Sequence, residues 1–99
     1  MEEIALRTQF STAINLDEVR RVLDSALRHE ADLADVRRAC FEHTCRVFEQ
    51  RYRTSSEEFM RQFESGVLGD DADYFDWYAA KRGLDLWEQR FRILSGVEV

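Results

Sequence analysis

The sequence predicts a mainly α domain of three to four helices in an antiparallel bundle-like arrangement, preceded by an N-terminal strand or extended arm. The 99 residues contain no proline and only four glycines, all of them beyond residue 65, which disfavours a β protein with many turns. Apolar residues recur every three or four positions from residue 15 onward, as in amphipathic helices. Polar capping residues stand where each periodic segment begins. A chain of this length has room for one core, so we expect a single domain over 1–99.

Residues 1–14 form the predicted strand or arm. Ile4, Leu6, Phe10 and Ile14 all occupy even positions between more polar neighbours. A period of two is typical of a strand. The alternative is an extended arm that becomes ordered only in a complex.

Residues 15–53 are expected to form two helices. Asn15 is a capping residue, and Glu18 follows three positions later, as in a capping box. We expect the first helix to end near residues 28–30 and the second to run from about Asp32 to Arg53. In the second helix, the predicted buried face consists of Leu33, Val36, Cys40 and Val47, with Phe41, Phe48 and Tyr52 on an adjoining seam.

Residues 54–99 are expected to form a short helix and a long, acidic and aromatic one. Thr54 with Glu57, or Ser55 with Glu58, can form the capping box of the short helix. The long helix is expected to run from Asp70 or Asp71 to about Leu94. Gly83 inside it costs about 1 kcal/mol of helix propensity, so the sequence predicts either close approach of another backbone or a bend there.

The charge is unevenly distributed. The net charge is −6, with −1 in residues 1–53 and −5 in residues 54–99, which favours a basic partner for the second half. No apolar run approaches the roughly 18 residues that span a bilayer. The acidic N-terminus does not read as a secretory signal, so we expect a cytoplasmic protein.

Metal binding and catalysis have little support in the sequence. Cys40, His43 and Cys45 cannot converge on one metal from a continuous helix, because His43 and Cys45 project about 200° apart. The phosphate-binding loop and the nucleophile motif of common enzymes are both missing from the chain. We therefore predict a protein without enzymatic activity, cofactor or metal.

The long helix holds the candidate interaction site. Aspartates at its start are expected to cap it, while Tyr and Trp are common in binding hot spots. One interpretation is that every aromatic residue is core; the other is that some line an interface. The candidate partner-binding residues are Asp70, Asp71, Asp73, Tyr74, Asp76, Trp77, Tyr78 and Trp87.

The run from Arg51 to Trp87 resembles small acidic bacterial and archaeal proteins with the pattern Y-x-x-S-S-E-E-F-x-x-x-F-x-x-G-x-L-G-D-D-x-D-F-F-E-W. The matching positions include Tyr52, Ser55, Ser56, Glu57, Glu58, Phe59, Phe63, Gly66, Leu68, Gly69, Asp70, Asp71, Asp73, Phe75 and Trp77. Tyr74 and Asp76 replace a phenylalanine and a glutamate of the pattern. Such proteins are commonly encoded beside toxins of the TumE type. The resemblance implies an antitoxin that binds and neutralises a small basic toxin.

Two other functions remain open. A strand followed by two helices is the order of a ribbon-helix-helix DNA-binding dimer, in which Arg7, Gln9 and Ser11 could read bases in the major groove. The single basic residue of the strand and the acidic balance of the chain weigh against this alternative. The third possibility is a structural helical scaffold or homodimer.

Overall fold

The computed structural model describes residues 15–99, and three helices account for most of them. Helix α1 spans Leu16–Tyr52, α2 spans Ser56–Glu64 and α3 spans Ala72–Gly96. The prediction of a mainly helical chain is confirmed, and no strand lies within the described residues. The predicted strand or arm of residues 1–14 lies outside them.

Helix α1 is one continuous helix of 37 residues, so the prediction of two helices over 15–53 is wrong. No glycine or proline interrupts residues 28–32, and every residue from 16 to 52 is helical. The predicted cap is confirmed, because the Asn15 side chain accepts a hydrogen bond from the Glu18 N–H at 2.8 Å. A run of good helix formers without a breaker simply continues.

Helices α1 and α3 pack side by side in opposite directions. The ring of Tyr52 meets that of Tyr74, Phe48 meets Trp77, and Arg37 meets Trp87. As the residue number increases along α3, the residue number of its contact on α1 decreases, which is the register of two antiparallel helices. With α2 across one end, these helices make a hairpin, a thinner arrangement than the predicted bundle.

The core lies between the two long helices and under α2. Its buried members are Cys45, Phe48, Phe59, Trp77 and Ala80. Farther along α1, Ala31 and Ala34 are also buried. The seam that included Phe48 and Tyr52 is therefore the one that faces the core.

The expected buried face of α1 is exposed instead. Leu33 is 36% exposed, Val36 59% and Val47 38%. Cys40 is exposed as well, whereas Cys45 is buried, so the expectation of a core Cys40 is wrong. These four side chains project away from the seam that meets α3, and no second helix of the described chain covers them.

Gly83 lies where α3 approaches a side chain of α1. A Cβ atom at this position would stand 2.8 Å from ring atoms of Phe41, which is well inside van der Waals contact. The close neighbour is thus an aromatic ring rather than a backbone. This crowding explains a glycine in the middle of a helix.

The turn between α1 and α2 is fixed by two hydrogen bonds. The Ser55 hydroxyl accepts from the Glu58 N–H at 3.1 Å, which confirms Ser55 as the cap. The Glu49 carboxylate of α1 accepts from the Ser56 N–H at 2.9 Å. Two unpaired N–H groups of the first turn of α2 are thereby satisfied, one of them by the preceding helix.

The first part of α1 extends past the end of α3. The contact register places Gly96, the last residue of α3, opposite about residue 28 of α1. No residue from 16 to 30 is buried. The helix is roughly 55 Å long at 1.5 Å per residue, and the structure measures 63 Å along its longest axis. An elongated shape results.

Candidate functional site

Two of the predicted site aspartates hold the fold together. The Asp71 side chain caps α3 by accepting a hydrogen bond from the Asp73 N–H at 2.9 Å, as expected for an aspartate before a helix. The Asp73 carboxylate accepts from the Tyr52 hydroxyl at 2.6 Å and from the Arg51 guanidinium at 2.7 Å. Asp73 therefore joins the start of α3 to the end of α1.

This three-residue contact shifts two pKa values in opposite directions. The hydrogen bond from Tyr52 and then the pairing with Arg51 lower the pKa of Asp73. The same bond to a carboxylate raises the pKa of Tyr52 to about 12. Both shifts favour the paired state at neutral pH, in which Asp73 is charged and Tyr52 is protonated. The carboxylate is thus already occupied within the chain.

Trp77 is a core residue, which corrects its assignment to a partner-binding surface. Its side chain is 1% exposed. The indole stacks on Phe59 with ring centroids 4.0 Å apart, and its Nε1–H donates to the buried Ser56 hydroxyl at 2.9 Å. Because every part of the indole has a partner inside the chain, none is left for another protein.

The other three predicted aromatics are half-buried and contact neighbours within the chain. Tyr74 packs against Tyr52 and Phe59. Tyr78 stacks on Phe63 with centroids 4.8 Å apart. Trp87 lies between two guanidinium groups, those of Arg37 at 4.5 Å and Arg90 at 4.7 Å. Each therefore stabilises the hairpin and shows only part of its ring to solvent.

The most exposed large apolar side chains near the acidic aspartates are ones that the sequence prediction passed over. Phe75 is 53% exposed and Val67 71%, and Phe63 meets Phe75 edge-on with centroids 5.5 Å apart. Phe75 projects about 160° away from Trp77 on α3, given 100° per residue. This angle could have predicted the exposure of Phe75, since a residue opposite a helix's core seam faces outward.

The acidic end comprises residues 54–76, which form α2, the following loop and the first turn of α3. It holds seven acidic side chains and one basic one, a net charge of −6. Asp70 and Asp76 are exposed there, on either side of Phe75 in the sequence. The site that emerges is the exposed ring of Phe75, in an acidic segment that also exposes Val67.

A groove between α1 and α3 is lined in part by Cys45, Glu49, Lys81 and Glu88. Burial opposes the charge of Lys81, but pairing with Asp85 and Glu57 outweighs it, so the pKa of Lys81 is raised. Burial also raises the pKa of the Cys45 thiol. These shifts keep the ammonium charged and the thiol neutral, whereas a nucleophilic amine or thiol needs the opposite shifts.

Three further predictions concern DNA reading, metal binding and a membrane span. Arg7, Gln9 and Ser11, the candidate DNA-reading residues, lie outside the described residues. Within residues 15–99, no group of three or more histidine, cysteine, aspartate or glutamate side chains is arranged to hold a metal ion. In the same range, no helix combines the length and apolar character needed to cross a bilayer.

Comparison with known proteins gives no family assignment: no family model, curated protein or solved structure matches the chain.

Proposed function

We propose that this chain is a protein-binding module that docks its acidic end onto a small basic partner. In its most specific form, the proposal is an antitoxin that neutralises a toxin in this way. The observation that carries it is the exposure of Phe75, at 53%, inside a segment of net charge −6. A large aromatic side chain left half-open on a folded helix costs solvation free energy, which a partner would recover by covering it.

The surrounding contacts support a preformed site. Asp71 caps α3 and Asp73 pairs with Arg51, so the first turn of α3 is held in place before a partner arrives. Phe63 packs against one edge of Phe75. A preformed patch loses little conformational entropy on binding. Carboxylates around an apolar centre suit a partner with an apolar pocket and a basic rim.

If a small basic protein is encoded beside this chain, binding to that protein tests the proposal. Phe75→Ala is expected to weaken the complex by about 2 kcal/mol or more, as the loss of a hot-spot aromatic does. Ile93→Ala is the matched control, because Ile93 is also exposed on α3, at 57%, but lies far from the acidic end. Titration calorimetry and co-expression growth assays give affinity and neutralisation separately.

Charge reversal distinguishes electrostatic steering of the partner from packing of the partner against Phe75. Asp76→Lys is expected to slow association mainly at low salt, because exposed charges act over roughly 10 Å at 0.1 M salt. A neighbouring basic protein that binds wild type, Phe75→Ala and Asp76→Lys equally well would refute this site. Absence of any complex with it would refute the antitoxin form of the proposal.

A further inference from the structure

A second exposed apolar strip lies on α1, away from the acidic end. From Val19 to Gln50, positions on one side of the helix advance alternately by three and four residues, for ten positions in all. Seven of the ten are valine, leucine, alanine or cysteine. Val22 is 68% exposed and Val36 59%. We call this strip the outer seam.

A 3-4 spacing sustained for more than four heptads is the pattern by which one helix packs along another. In the hairpin, α1 uses a different side, the one with Phe48 and Cys45, to contact α3. The outer seam thus carries the spacing of a coiled coil without a helix against it in the described chain. The remaining question is which helix would fit.

The charged residues that flank the outer seam indicate which helix would fit it. In a pair of antiparallel helices, core positions of one helix pack against those of the other, and the flanking positions of each face their counterparts. If Leu33 faces Val36 of a second copy, Glu30 of each chain comes beside Arg37 of the other. Because the pair is symmetric, this Glu30–Arg37 contact occurs twice in the dimer.

Other alignments of the same two helices bring like charges together. A shift of one heptad in one direction sets Arg37 beside Arg37 of the other copy. A shift in the opposite direction sets Glu30 beside Glu30 and Asp32 beside Asp32. A parallel pair sets Arg46 beside Arg51. Of these four alignments, only the one centred between Leu33 and Val36 avoids every one of these repulsions.

Both members of the attractive pair are available. Within residues 15–99, neither Glu30 nor Arg37 has an ion-pair partner. Both side chains are exposed. The Arg37 guanidinium rests over the Trp87 ring of α3 at 4.5 Å, so Arg37 lies between the outer seam and the side of α1 that packs against α3. A guanidinium has enough donors to keep this stacking and bind a carboxylate.

We propose that the outer seam of α1 binds the same seam of a second copy in antiparallel orientation, with Leu33 opposite Val36 and Glu30 opposite Arg37 of the other chain. The partner here is this protein itself, and the surface does not overlap the acidic end. The dimer proposal can therefore be tested independently of the proposed function.

Sedimentation equilibrium with charge-swap variants tests the pairing. Wild type is expected to be a dimer, and Glu30→Arg or Arg37→Glu is expected to raise its Kd roughly tenfold or more, because two attractive contacts become repulsive. The double variant with both changes restores the attraction and is expected to return most of the affinity. Ile93→Lys, on the exposed side of α3, is the control that leaves the dimer intact.

Disulfide trapping tests the orientation. In the proposed alignment, Cys40 faces His29 of the other copy, and the two Cys40 residues are offset by 11 positions, roughly 16 Å along the helix. Oxidised wild type is therefore expected to remain free of disulfide-linked dimer, whereas His29→Cys is expected to cross-link to Cys40. Circular dichroism would check that each variant keeps its helix content.

Three results would overturn the proposal. One is a monomer at every concentration that stays in solution. Another is failure of the double charge swap to restore the affinity lost by the single ones. The third is rapid Cys40–Cys40 cross-linking of wild type, which would require a different alignment of the two helices.

Discussion

The two parts of α1 carry similar apolar patterns and have different surroundings. From 31 to 52, the helix packs against α3, and its buried side includes Ala34, Cys45 and Phe48. From 16 to 30, no residue is buried, because α3 ends at Gly96, opposite about residue 28. Periodicity therefore determines which side of a helix can be buried, while the length of the neighbouring helix determines whether that side is buried.

The largest expected contrast is between Trp77 and Val22. Trp77→Ala is expected to cost roughly 3–5 kcal/mol, as other large core aromatics do, because it opens a cavity beside Phe59 and leaves the buried Ser56 hydroxyl without its donor. Val22→Ala, at a position 68% exposed, is expected to change stability by about 0.5 kcal/mol or less in the monomer. Urea unfolding at low chain concentration measures both. Similar losses for the two variants would contradict the difference in packing.

Gly83 tests how tightly the packed part of α1 holds α3. Gly83→Ala gains about 1 kcal/mol of helix propensity but forces a Cβ atom into the Phe41 ring, at a cost of about 1–3 kcal/mol. We expect a net loss of stability from this change.

The same substitution in a Phe41→Leu background is expected to stabilise by about 1 kcal/mol, since the obstructing ring is gone. A double-mutant cycle by urea unfolding measures the coupling. Stabilisation by Gly83→Ala in the wild-type background would show that the ring moves aside at little cost.

The Tyr52–Asp73 contact predicts a smaller, pH-dependent effect at the packed end. The raised pKa of Tyr52, about 12, contributes stability that is fully present below the ordinary tyrosine pKa of about 10. That contribution is lost as pH rises toward about 12. The lowered pKa of Asp73 contributes stability present above the ordinary aspartate pKa of about 4 and lost as pH falls through the lowered value.

Unfolding curves of wild type and Tyr52→Phe across the pH range isolate the tyrosine contribution. The stability difference between the two proteins is expected to be constant near neutrality and to shrink above pH 10, a threshold set by the ordinary tyrosine pKa of about 10. The pKa of Tyr52 in the folded chain is about 12. A stability difference that stays constant up to this pH would argue against the hydrogen bond to Asp73.

The helices and their caps could be predicted from the sequence because they depend on local chemistry. Asn15, Ser55 and Asp71 all cap as their side chains indicate. The break near residues 28–30 was wrong, because it rested on the end of an apolar stripe rather than on a breaking residue.

The candidate site was predicted only in part, because it depends on tertiary contacts. α1 carries two apolar stripes, and only the position of α3 decides that Cys45 is buried and Cys40 exposed. The same packing buries Trp77 and leaves Phe75 outside. Residue type alone favoured tryptophan as an interface anchor, although its size also makes it the best filler of a small core.

Hydrogen exchange resolved by residue, at low and high chain concentration, tests most directly that residues 16–30 lack packing within a single chain. At low concentration, amides of residues 16–30 are expected to exchange through local fraying, because a short helical segment without tertiary contacts is marginal in water. Amides of residues 45–52 are expected to require global unfolding. At high concentration, the dimer is expected to slow exchange in the first segment. Equal protection of both segments in the monomer would contradict the account.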